Sequence, residues 1–274
     1  MRRRFIAAAA AAVAFLAAVA SFDRVPAPGP LGDEATEALM VASLAHDHDL
    51  RFDAADLERS YSWFTSGPRG LALGSADGGV TRRFARSPVF AVVAWPWYAV
   101  FGPRGILLLN ALLCVALAGF AWRLRGAGGD SGGLYAIGFV IGSAALGYAL
   151  RFGSHLFEFA CVFGALGLWW RSRPRVDGVG PARRESGVLP FVAAGVLFAL
   201  AAALEPLALL PATAVVIDLA RARAARAAVF AASVLVVWGT LAGGSGAATA
   251  GFERRVFPEP EALDRGADGW KDGL

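Results

Sequence analysis

Residues 105–122, GILLLNALLCVALAGFAW, run for 18 positions without a charge. A helix that crosses the hydrocarbon core of a bilayer needs roughly 20 predominantly apolar residues, with about 17 as a practical lower limit. The stretch therefore reads as a transmembrane helix. Runs of the same character, some of them short, occupy Phe5–Phe22, Gly133–Leu150, Ser154–Trp170, Gly187–Leu204, Pro206–Leu219 and Ala227–Leu241. The Gly187 and Pro206 runs flank Glu205–Pro206 and read either as two spans or as one bent hairpin. The fold expected from this pattern is an all-α integral membrane protein with about seven transmembrane helices.

Composition agrees with lipid as the solvent. The chain of 274 residues is 57% hydrophobic, more apolar than a soluble domain of that size. Of its 26 basic residues only Lys271 is a lysine, and alanine is abundant throughout. That bias suggests a GC-rich bacterial genome, and no nucleic-acid partner is expected. Cys114 and Cys161 lie inside apolar runs, where they read as small buried hydrophobes and not as a disulfide or metal framework.

Orientation follows from arginine. Cytoplasmic loops collect basic residues. With the N-terminus inside, Arg2–Arg4, Arg123, Arg125, Arg171–Arg184 and Arg221–Arg226 all fall on that side. The segment 23–87 and the tail are slightly acidic and fall outside, giving an N-in, C-out topology in the inner (plasma) membrane. The net charge of +4 is then an asymmetry of topology. Trp122, Trp169 and Trp170 reach the cytoplasmic interface and Trp95, Trp97 and Tyr98 the external one, as interfacial aromatics do. Phe5–Phe22 also satisfies the outline of a cleavable signal peptide, with Arg2–Arg4 before it and Ala18-Val19-Ala20 near its end. A retained helix is the expectation.

Residues 1–242 thus form a transmembrane module, with an external loop at 23–87, an interfacial or re-entrant helix at 88–101 and a polar external tail at 243–274. A connection as long as 23–87 is functional or disordered as a rule, and its apolar periodicity argues for order. Pro26–Pro30 stiffens its start. Asp33–Ala45 reads as an amphipathic helix along the membrane surface. Pro88–Phe101 (PVFAVVAWPWYAVF) is apolar but short, and Pro96 interrupts it.

Polar residues in this frame admit structural and chemical readings. Asp33 and Glu34, at the start of the amphipathic helix, suit an N-cap and a complement to the helix dipole, or an acid–base site. Arg151, His155 and Glu158 gather at the external end of the fourth span, where His155 and Glu158 share a helix face at i,i+3. They form either a mutually satisfied polar cluster or a functional one, since ionisable groups at membrane depth are functional candidates. Glu205 reads as structural. His46-Asp47-His48-Asp49 has a metal-site composition, but adjacent side chains on a turn diverge, and a solvated turn is the expectation.

The order of an N-terminal helix, Gly32-Asp33-Glu34, a helix ending in Ser43-Leu44-Ala45, His48-Asp49-Leu50 with Asp53, and Arg86-Ser87-Pro88-Val89-Phe90 before a proline-containing apolar segment resembles bacterial membrane glycosyltransferases of the GT-C superfamily. Relatives of the aminoarabinose and protein mannosyl transferases belong there. The resemblance extends over residues 5–240 in layout, with its specific part in the first external loop. It implies a polyprenyl-phosphate-linked sugar as donor, a lipid, glycan or protein acceptor, membrane lipids as surroundings, and an extracytoplasmic active site. The family's acidic residue after the first helix falls on Asp33, with Glu34 beside it.

Such a transfer needs a carboxylate base, positive charge at the departing phosphate and stabilisation of an oxocarbenium-like centre. Asp33 is the expected base. Arg82, Arg83 and Arg86, on a helix over Thr81–Ser87, and Arg151 are the expected phosphate ligands, with snorkelling to lipid headgroups as their structural alternative. His155 and Glu158 support the site. No cofactor and no metal ligand is assigned; a divalent metal is compatible with the site, with hydrogen bonding or metal ligation as the alternative roles of His155 and Glu158. Superfamily members continue with further helices and often a soluble domain, so the chain matches a truncated enzyme or an N-terminal module of one. The rival reading is a non-catalytic polytopic membrane protein, such as an assembly subunit. A transporter ranks third, since paired broken helices and inverted repeats are not evident.

Overall fold

The structure, a computed structural model, describes residues 32–63, 68–75, 82–124, 145–172, 187–244 and 252–256. Phe5–Phe22 lies outside the described residues, as does Gly133–Leu150 up to residue 144. The chain is mostly helical. Its α-helices are α1 (Asp33–His46), α2 (Ala54–Trp63), α3 (Val89–Phe101), α4 (Pro103–Leu124), α5 (Ala145–Ala149), α6 (His155–Ser172), α7 (Leu189–Leu204), α8 (Leu209–Ala222) and α9 (Ala224–Gly244). The strands β1 (Arg69–Ser75), β2 (Arg82–Phe84) and β3 (Phe252–Val256) form an antiparallel sheet in the order β2-β1-β3.

The sheet corrects the expectation of an all-α fold. It also replaces the helix expected over Thr81–Ser87 with a strand. Leu71 and Leu73 are buried and Phe84 pairs with Leu73, so short strands bury these side chains where a single helical turn would not. β3 comes from the segment read as a polar tail, and it pairs along most of β1.

Two compact units make up the chain, which passes from one to the other within α4, after Val115. The first holds α1 to α3, the start of α4, residues 146–154 and the sheet. At its centre is α1, whose residues Ala35 to Ser43 are all buried. This departs from the expected surface helix, because α1 packs on α3, β1 and α2 and is covered all round. Its buried hydroxyls are satisfied locally. Thr36 Oγ1 donates to the Gly32 carbonyl at 3.1 Å and accepts the Ala72 N–H at 3.0 Å. Helix α2 opens with a reciprocal cap: Asp53 Oδ1 accepts the N–H groups of Ala55 and Asp56, and Asp56 Oδ2 accepts that of Asp53.

Helix α3 is continuous through Pro96, which the sequence reading expected to interrupt it. One side, with Phe90, Ala91 and Ala94, is fully buried, while Val92, Trp95, Val100 and Phe101 stay exposed. The outer side is therefore apolar as well.

The second unit is a helical bundle around Phe191, Phe198, Val215, Leu219 and Phe230, in which the Phe198 and Phe230 rings meet edge to face at 5.9 Å. Gly195 lets α7 and α9 approach: an added Cβ would sit 2.7 Å from Ser233 Cβ and 2.9 Å from the Phe230 carbonyl oxygen. The bend between α7 and α8 falls at Glu205, whose extended backbone precedes the 3-10 turn Pro206–Ala208.

By length and composition, Pro103–Arg123 and Ala224–Leu241 are the two described helices able to cross a membrane, and Val89–Phe101 and Leu189–Leu204 are shorter apolar helices. Only 17% of the Ala224–Leu241 stretch is buried within the protein, and Leu210, Ile217, Leu235 and Val236 are each more than half exposed. Hydroxyls on these helices bond back into their own backbones, Ser233 to the Val229 carbonyl at 2.8 Å and Thr240 to that of Val236 at 2.7 Å. Such closure removes donors that an apolar medium would leave unsatisfied.

Candidate functional site

Three carboxylates line the first turn and a half of α1. Asp33, Glu34 and Glu37 stand at helix spacings of three and four, which gathers them on neighbouring faces. Gly32 precedes them with φ of 58°, a left-handed conformation that suits glycine, and its N–H donates to the Arg69 carbonyl at 2.6 Å. The helix start is thereby pinned to β1. Gly32 occupies the N-cap position and no side chain caps the helix. The expectation of Asp33 as N-cap is thus replaced: Asp33 is the first helical residue, and its carboxylate is taken by a distant partner.

That partner is Arg86, whose Nη2 pairs with Asp33 Oδ2, both side chains being about one-quarter to one-third exposed. Glu34 Oε1 receives Arg151 Nη1 at 2.9 Å. Two of the expected phosphate ligands therefore meet the two expected catalytic carboxylates. Arg82 and Arg83 sit on β2, where successive side chains point to opposite faces. The i,i+4 helical clamp of Arg82 with Arg86 does not form.

Glu37 extends the cluster inward. It is 4% exposed, and its two oxygens accept the Ser154 N–H and the Ser154 hydroxyl, each at 2.6 Å. Asn110, on α4, donates from Nδ2 to the carbonyls of Arg151 at 2.8 Å and Gly153 at 3.1 Å. The segment Arg151–Ser154 is held by α1 on one bond set and by α4 on the other, and this fixes the backbone from which Arg151 reaches Glu34. The sequence reading missed Glu37, Ser154 and Asn110. Glu37 was signalled by its position one turn after Asp33, and Asn110 by being the one amide in an 18-residue apolar run.

In the second unit, His155 Nδ1 lies 4.0 Å from Glu158 Oε2, the contact their i,i+3 spacing promised. His46-Asp47-His48-Asp49 forms an exposed turn in which His48 has φ of 59°. Asp47 pairs with Arg59, and Asp49 Oδ1 accepts the Arg51 N–H at 2.9 Å. Among the described residues no group of three or more His, Cys, Asp or Glu side chains is arranged to hold a metal.

The Asp56 carboxyl titrates well above the ordinary carboxylate range. Burial pushes it up to about 7, against the lowering effect of the Asp53 N–H and of Arg59, whose Nη1 is 2.6 Å away. It lies on α2 among Asp47, Asp53 and Arg59. Its role is structural, in the helix cap.

No family model, curated protein or solved structure matches this chain.

Proposed function

We propose that the chain is a multi-pass inner-membrane glycosyltransferase of GT-C type that moves a sugar from a polyprenyl-phosphate donor to an extracytoplasmic acceptor. The observation that carries this reading is the pairing of Asp33 with Arg86 and of Glu34 with Arg151 at the start of α1. In the free protein each arginine holds a carboxylate. A donor phosphate competes for the same guanidinium groups, which favour bidentate contact with tetrahedral oxyanions, and its arrival releases Asp33. The freed carboxylate then takes the proton of the acceptor hydroxyl as that oxygen attacks the anomeric carbon. The sugar–phosphate C–O bond breaks, and its electrons leave on the phosphate held by Arg86 and Arg151.

Topology supports the external placing of this cluster. Strands β1 and β3 pair, so residues 69–75 and 252–256 lie on one side of any membrane, and the chain between them crosses an even number of times. Six spans after the first loop meet that condition, in line with a loop and a tail that are both external.

Asp33→Asn tests the mechanism. General-base catalysis contributes about 10²–10⁴-fold, whereas a partly exposed ion pair contributes about 0–1 kcal/mol to stability. Transfer from a lipid-linked sugar in isolated membranes should fall by that factor with yield and melting temperature nearly unchanged. Undiminished transfer would eliminate Asp33 as the base. A second reading, a non-catalytic membrane protein in which these groups are a structural clamp, is favoured by the bonds from Glu37 and Asn110, which hold the Arg151 segment without any substrate. Absence of transfer by the unaltered protein with every donor tested would select it.

A further inference from the structure

Arg51 and Arg83 face one another across an isolated antiparallel bridge beside the sheet. The Phe52 N–H donates to the Arg82 carbonyl at 3.0 Å and the Phe84 N–H to the Leu50 carbonyl at 3.4 Å. This pattern makes Arg51 and Arg83 the non-hydrogen-bonded pair, in which opposed residues come closest, about 4.5 Å between Cα atoms. Like charges directly opposite in such a pair repel. Both residues are exposed, and among the described residues neither guanidinium lies within ion-pair distance of a carboxylate. The two acids nearest in sequence are engaged elsewhere: Asp49 Oδ1 accepts the Arg51 N–H and lies 3.2 Å from Ser43 Oγ, and Asp53 Oδ1 accepts the N–H groups of Ala55 and Asp56.

The surrounding strands keep the pair open. Phe52 and Phe84 are buried and their rings meet at 5.8 Å, which assigns them to the opposite face. On the other side of Arg83, the residue opposite it on β1 is Gly74, which places no side chain over the pair. Two arginines whose Cα atoms oppose one another at the closest cross-strand spacing, both exposed, match an anion with two or more oxygens to share between their guanidinium groups.

We propose that Arg51 and Arg83 form a phosphate-binding pair, taking a phosphomonoester group from solution or from a lipid headgroup. It is separate from Arg86 and Arg151 and stands whether or not the chain transfers sugar. Phosphate relieves the repulsion by supplying an acceptor for each guanidinium. Hydrogen bonds to charged groups are strong enough that loss of either arginine weakens binding by about tenfold or more.

The test is thermal unfolding of the full chain at constant ionic strength. One arm uses detergent micelles with inorganic phosphate replacing chloride. The other uses nanodiscs of phosphatidylcholine with or without phosphatidic acid. The melting temperature should rise with phosphate in one arm or both, and the rise should be largely lost in Arg51→Gln and Arg83→Gln. A response confined to phosphatidic acid identifies a lipid headgroup as the source. Arg51→Glu should raise the melting temperature without phosphate, by giving Arg83 an opposite charge, and should remove the response. No response in either arm, or one undiminished in both glutamine variants, would overturn the assignment.

Discussion

Glu37→Ala isolates the buried half of the candidate site. The substitution leaves the Ser154 N–H and hydroxyl without the carboxylate oxygens that now lie 2.6 Å from each. Ser154 is 3% exposed, so water does not replace them freely. An orphaned buried donor costs about 1–3 kcal/mol, and the hydroxyl recovers part of its share by rotating. The expected loss is about 2–4 kcal/mol, which for a chain of this size lowers the melting temperature by about 5–15 °C. Glu37→Gln keeps the volume and one acceptor and should cost about half as much. Circular dichroism of the full chain in detergent follows the unfolding, with Glu58→Ala on the exposed side of α2 as control. If Glu37→Ala melts within about 1 °C of that control, the carboxylate does not hold the Arg151 segment.

Asp56 gives stability a pH dependence: with its folded pKa raised to about 7, the folded chain keeps a proton that the unfolded chain releases from about pH 4 upward. Stability should fall as pH rises from 4 through 7, and Asp56→Asn should flatten that slope in denaturant titrations. Gly195→Val should destabilise the bundle by about 1–3 kcal/mol through overpacking against Ser233 and Phe230, read as a lower melting temperature. A cysteine at Glu58 should react with an impermeant reagent in intact cells while one at Ser186 reacts only after lysis; the reverse pattern would invert the topology. Arg151→Gln should reduce transfer more than it reduces stability, because its side chain is 60% exposed.

Helix boundaries were legible because apolar runs end where charges and prolines begin: α4, α6, α7 and α9 match the runs at 105, 154, 187 and 227 to within about three residues at either end. The burial of α1 was not legible. Its Ala-rich composition fits a surface helix or one covered all round, and only the packing of α3 and β1 decides between them. The sheet escaped for a related reason. RGLALGS and RRF are too short to display a period, and β3 lies about 180 residues beyond its partner, where no local pattern announces a pairing. At the site, residue types pointed to Asp33, Glu34, Arg86 and Arg151, but which arginine meets which carboxylate is set by contacts more than 50 positions apart.

That distant pairing also orders assembly in time. The central strand β1 emerges early, with β2 available on one edge and nothing yet made for the other. At about 5–20 residues per second, the roughly 180 intervening residues keep that edge open for about 10–40 s, while the helices between the two strands are made. An exposed strand edge is a template for association with other chains. The segment carrying β1 is therefore an unfinished surface through most of the protein's synthesis, and a chaperone, or a binding partner able to add a strand, has its opportunity there, before residues 252–256 arrive to close it.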